Sequence, residues 1–121
     1  PHPNDPALQI WYACIEGPEV AAYTRGTATL VNGVAEIRFS EDFELVVNPE
    51  TMTILTSPWS AESEGLAIIE RSANGFLVRE LRGGTGTYQF DWEVKGVRKG
   101  FEQYEVVRKK QEDELKTLQE R

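Results

Sequence analysis

Two glutamates, Glu16 and Glu19, stand on either side of a Gly17-Pro18 pair. Carboxylates across a rigid corner could meet the spacing of about 5–10 Å that glycoside hydrolysis asks of its two acids. One of them would also need a raised pKa, and that takes an apolar pocket. The neighbouring residues supply none. The corner therefore reads better as an exposed bend whose carboxylates accept backbone N–H groups or pair with Arg25 or Arg98. A hydrolase using Glu16 and Glu19 is kept as an alternative function, and the leading expectation is that the chain is not an enzyme.

Other chemistry is weaker still. RGGTGTY, Arg82–Tyr88, has the glycines of a phosphate loop. It lacks the Gly-Lys-Ser/Thr ending, and the strand pattern after it offers no helix N-terminus to hold an anion. A flexible glycine connection is expected instead. Ser57, His2 and Asp5 supply the residue types of a hydrolase triad without a G-x-S-x-G elbow around the serine. One cysteine, Cys14, and one histidine fall short of the ligand set of a zinc site, and Cys14 within IWYACI reads as a small buried hydrophobe. No calcium-loop spacing occurs in DPALQ or SEDFE. No cofactor and no metal are expected. Recognition is a better prospect. Trp59 lies in SPWSAESEG, a loop that also carries Glu62 and Glu64, and Tyr88 follows the glycine segment. Loop aromatics on a β scaffold suit glycan or protein contact. Alternatively, Trp59 folds back to plug the end of the core.

The scaffold holding these residues reads as β-strands. At 121 residues, 40% hydrophobic and 27% charged, the chain is long enough for one domain with its own core. LQIWYACIE reads as a strand covered on both faces, and Glu19–Tyr23 is ambiguous between strand and loop. GTATLV and VAEIRF flank Asn32-Gly33, the strongest hairpin signal in the chain. That hairpin would pair Val31 with Val34, Leu30 with Ala35, Thr29 with Glu36, Ala28 with Ile37 and Thr27 with Arg38. Leu30, Ala28, Ala35 and Ile37 would share its apolar face. SEDFELVV is expected as one helical turn capped by Ser40 with Phe43 inward. Thr51–Thr56 is a strand, and LAIIER and FLVREL form a second hairpin ending at Asn74-Gly75. YQFDWEVKGVRK alternates strictly, with Tyr88, Phe90, Trp92 and Val94 on one side and Gln89, Asp91, Glu93 and Lys95 on the other. FEQYEVV adds a last strand. Seven or eight short strands with regular turn signals predict an antiparallel β-sandwich or a barrel-like domain.

Residues 1–7, rich in proline, read as a linker, residues 8–107 as the β domain, and residues 108–121 as a C-terminal helix. The last segment has no glycine, proline or aromatic residue. Leu115 and Leu118, with Gln111 on the same seam, either pack on the sheet or open a coiled coil, the preferred reading.

Net charge is −7, and residues 1–70 hold 2 basic against 11 acidic side chains. Such a surface lacks the basic stripe a nucleic-acid binder needs. No apolar run approaches the length of about 20 residues of a membrane span, so no membrane insertion is expected. The chain starts at Pro1 without a methionine and is expected to be a fragment of something longer.

HPNDP, then IEGPE, then NGVAEIRFSEDF form a distinctive set, joined by SPWSAESEGLAIIE, FLVRELRGGTG and FDWEVKGVRKGFE. Together they resemble a β-rich C-terminal domain of long bacterial and phage surface or tail-fibre proteins, over Pro1 to Val107. The resemblance implies a terminal module after a fibrous shaft, in a homotrimer, often followed by a coiled coil. It implies an extracellular, cell-surface or virion location and roles in trimerisation and in adhesion to a glycan, a protein receptor or a neighbouring subunit. An intramolecular assembly chaperone is the alternative. Some phage fibres end in a self-cleaving chaperone that uses a Ser-Asp pair. Here Ser40-Glu41-Asp42 replaces it and no protease residue carries over. Ser40 also stands where the pattern expects proline.

Overall fold

The computed structural model describes residues 1–12 and 16–110. Six strands form two antiparallel three-stranded sheets: β1 (Ala21–Leu30), β2 (Val34–Arg38), β3 (Thr53–Pro58), β4 (Leu66–Ser72), β5 (Gly75–Glu80) and β6 (Tyr88–Val97). Their orders are β1-β6-β3 and β2-β5-β4. One short helix, α1 (Glu41–Val46), follows β2. The mostly β, sandwich-like architecture expected from the strand patterns is the one observed.

Period 2 builds the core. Phe90 and Val94 of β6, Leu30 of β1 and Val78 of β5 are fully buried, and Ile37 and Phe76 join them from the second sheet. Aromatic rings bridge the two layers: Phe76 meets Trp92 edge-on at 5.7 Å, and Phe39 lies 5.1 Å from Phe43 of α1. Such edge contacts suit the ring quadrupoles and add to area burial. Helix α1 starts as expected, with the Ser40 hydroxyl accepting from the Phe43 N–H at 3.3 Å and Phe43 fully buried. Arg71 crosses from β4 to donate to the Met52 carbonyl at 2.9 Å.

The Asn32-Gly33 turn is present, with φ of 51° and 81°. Val31 and Val34 exchange both backbone hydrogen bonds, at 3.0 and 3.1 Å. The expected ladder stops there. β1 pairs with β6 throughout and β2 pairs with β5, so the other four expected pairs do not form. The chain changes sheets at this corner. Leu30, Ala35 and Ile37 are still buried, because alternation decides which face of a strand is covered and leaves its partner open.

Three other expectations need correction. Leu8–Tyr12 is not a strand. The first residues instead fold on themselves, with the His2 N–H donating to the Leu8 carbonyl at 3.0 Å and the Leu8 N–H to the Asp5 carbonyl at 3.1 Å. A run that is apolar on both faces carries no period to seat it in a sheet, and Trp11 is 86% exposed. Phe101–Val107 forms turns rather than a strand, and Arg108–Lys110 is not helical. The rest of the expected C-terminal helix, with Gln111, Leu115 and Leu118, lies outside the described residues, as does Cys14. Among the described residues no helix is long and apolar enough to cross a membrane.

Candidate functional site

The outer face of the β1-β6-β3 sheet collects side chains that the sequence scatters. Thr27, Asp91 and Ser57 lie abreast across the three strands, and Arg25, Glu93 and Leu55 form the next row. All sit at the outward positions of the period-2 alternation. Trp59 carries the ladder one residue beyond β3, its N–H donating to the Gln89 carbonyl at 2.9 Å. Its side chain therefore falls on the same face, 59% exposed. It does not plug the core. The Thr27 hydroxyl donates to Asp91 at 2.7 Å. That bond, with the Trp59 side chain as a second donor, holds the Asp91 carboxyl below the usual carboxylate range. Lys95 pairs with Glu93 at 3.2 Å on this face. A shallow trough of about 680 Å³ runs over the two central rows.

A second cluster holds the loops at one end of the sandwich. Phe76, Val78 and Glu80 alternate onto the buried side of β5, so Glu80 is carried inward and is only 4% exposed. Its carboxylate accepts from the Gly86 N–H at 3.1 Å and from the Tyr88 hydroxyl. Tyr88 has a single proton, and it goes to Glu80. Ser63, 2.7 Å away, must then donate to the Tyr88 oxygen. The Tyr88 bond, followed by the Gly86 bond, holds the Glu80 carboxyl below the usual glutamate range. Burial, followed by the bond to Glu80, pushes the Tyr88 phenol up. The glycine segment is thus not the flexible connection expected. Gly84 and Gly86 lie so close to the Glu80 side chain that a Cβ at either would meet it.

Of the residues singled out from sequence, Trp59, Glu62 and Glu64 are exposed. Tyr88 is half-buried and its hydroxyl is engaged in the Glu80 cluster. Glu16 and Glu19 are exposed on a bend at Gly17–Glu19, and neither takes part in an ion pair among the described residues. His2 and Asp5 face each other in the N-terminal turn, where the His2 Nδ1 accepts from the Asn4 N–H at 3.2 Å, while Ser57 pairs with Asp91 in the sheet. No group of three or more metal-ligating side chains occurs among the described residues.

Asp91, Thr27 and Arg25 did not emerge as site residues from sequence. The alternation of β6 does place Asp91 and Glu93 on its wet face. What brings Thr27 and Arg25 beside them is the pairing of β1 with β6, across more than sixty residues of chain, and no local pattern encodes that. Glu80 carried a signal, since its parity matches Phe76 and Val78. No protein-family model matches the chain, and a search of curated proteins finds no match.

Proposed function

We propose that this domain is a non-enzymatic terminal module of a trimeric surface or tail fibre, acting in trimerisation and in contact with a glycan, a receptor or a neighbouring subunit. One observation carries the reading. The two terminal segments are both anchored beside α1 and both turn large apolar side chains outward. The Asn4 side chain donates to Glu41 at 3.2 Å, and the Lys99 N–H donates to the Val46 carbonyl at 2.8 Å. Trp11 is 86% exposed and Val107 87%, with Leu8, Phe101, Tyr104 and Val106 also exposed. Several large apolar side chains left exposed on two anchored segments favour contact with another chain, where a single one would need no explanation.

On this reading the module is displayed outside the cell or on a virion, and the seam of Gln111, Leu115 and Leu118 sets the register of three copies. Paired substitutions test it. Trp11→Ser and Val107→Asp, each at an exposed position, are expected to lower the solution mass from three copies toward one while leaving the melting temperature of the domain within a few degrees of wild type. An assembly whose mass is unchanged by both would overturn the proposal.

A further inference from the structure

We infer that the outer face of the β1-β6-β3 sheet is a binding site for a neutral polysaccharide, with Trp59 as its stacking platform and Asp91, Thr27 and Arg25 as its hydrogen-bonding groups. The inference deepens the recognition part of the reading above and does not depend on the number of copies.

The chemistry of the face selects the ligand. A sugar ring offers an apolar C–H face and a rim of hydroxyls. The first calls for an exposed aromatic plane, and the second for donors and acceptors side by side. Trp59 supplies the plane and stands beside Asp91. Thr27 already donates to Asp91 at 2.7 Å, so the carboxylate is held in one orientation and keeps acceptor capacity for a ligand hydroxyl. Arg25 brings guanidinium donors to the neighbouring row, opposite Glu93.

Charge narrows the choice further. The chain as a whole carries −7, yet this face sets Arg25 and Lys95 against Asp91 and Glu93. A locally balanced field offers little to a polyanion such as nucleic acid or to a strongly cationic partner. The trough of about 680 Å³ falls within the range of about 300–1,000 Å³ usual for small-ligand sites. It lies over the rows of Leu55 and Ser57; Trp59 stands two residues beyond Ser57 on the same face, and the four residue steps from Leu55 to Trp59 span about 13 Å, room for a short oligosaccharide. The other sheet is an internal comparison. Its outer trough, of about 590 Å³, is lined by Glu36, Arg38, Glu70 and their neighbours, and none of its three strands carries an exposed aromatic residue.

Affinity electrophoresis of the full chain tests this, in native gels with and without xylan, hydroxyethylcellulose, mannan or a soluble β-1,3-glucan. Retardation by at least one is expected. Trp59→Ala should weaken it by about tenfold or more, and Arg25→Ala should weaken it too, so the result does not rest on one variant. Arg79→Ala on the other sheet should leave it unchanged. Melting curves of each variant separate lost binding from lost fold. No retardation by any of the four would overturn the assignment, and so would retardation that survives both Trp59→Ala and Arg25→Ala or retardation by heparin alone. The same gels run with the Val107→Asp chain keep the outcome separate from the trimer, because the sugar site lies within one copy.

Discussion

Tyr88 shows how a side chain read as a surface recognition element can serve the fold. Its position after the glycine segment suggested exposure. Its parity in β6 put it with Phe90 and Trp92 on the inner side, and there its hydroxyl meets the Glu80 carboxylate. Parity was legible in the sequence; the partner was not, because Glu80 belongs to the other sheet. Tyr88→Phe leaves one carboxylate oxygen and Ser63 short of a partner, and the expected loss is roughly 1–3 kcal/mol in a urea titration. The pH dependence follows from the same bond. The folded Glu80 carboxyl lies below its unfolded value, so its contribution to stability is fully present above the unfolded range, about 4.3. It is lost as the pH falls through the folded value. The gap in urea midpoint between wild type and Glu80→Gln should therefore be widest near pH 7 and should narrow below about pH 4. A gap that stays constant to pH 3 would assign the stabilisation to something other than the ionised carboxylate.

At the scale of elements, local signals were reliable where they act locally. Ser40 was recognisable as a helix cap and is one. Ser40→Ala should cost about 1 kcal/mol, read from thermal melts. The alternation of β6 was recognisable because one of its faces is wet and the other is core. The Asn32-Gly33 turn was recognisable from its positive φ demand, but a turn specifies only the pair that closes it. Beyond Val31 and Val34 the strands serve different sheets, and that division depends on long-range packing. Gly33 is bound to this corner twice over. Its φ is 81°, and a Cβ there would run into the Gly84 carbonyl of the glycine segment. Gly33→Ala should therefore destabilise by more than the roughly 1 kcal/mol that glycine replacement can gain at a relaxed site. A neutral Gly33→Ala chain would mean that the turn and the glycine segment are not packed as described. Leu8–Tyr12 failed as a strand for a related reason. Apolar and aromatic composition without a wet face identifies a segment that wants cover and does not say which kind.

For the molecule as a whole, composition and strand spacing were enough to reach a mostly β domain with a layered core, because burying alternate residues on both sheets is how such a chain covers its apolar area. Phe90, fully buried between the sheets, should be among the costliest truncations. Phe90→Ala is expected to lose about 3–5 kcal/mol in chemical denaturation. Function was less legible. The acidic balance argued against nucleic acid, and the aromatic Trp59 drew notice. The face it belongs to became visible only once β1, β6 and β3 were aligned. The assembly reading depends on terminal segments whose apolar side chains the domain itself leaves uncovered. The most direct test is the solution mass of the 121-residue chain by light scattering over a range of concentrations, compared with the chain ending at Val107. Three times the 13.7 kDa of one copy is expected for the full chain, and a smaller mass after truncation. A single-copy mass for the full chain at every concentration would contradict the trimer.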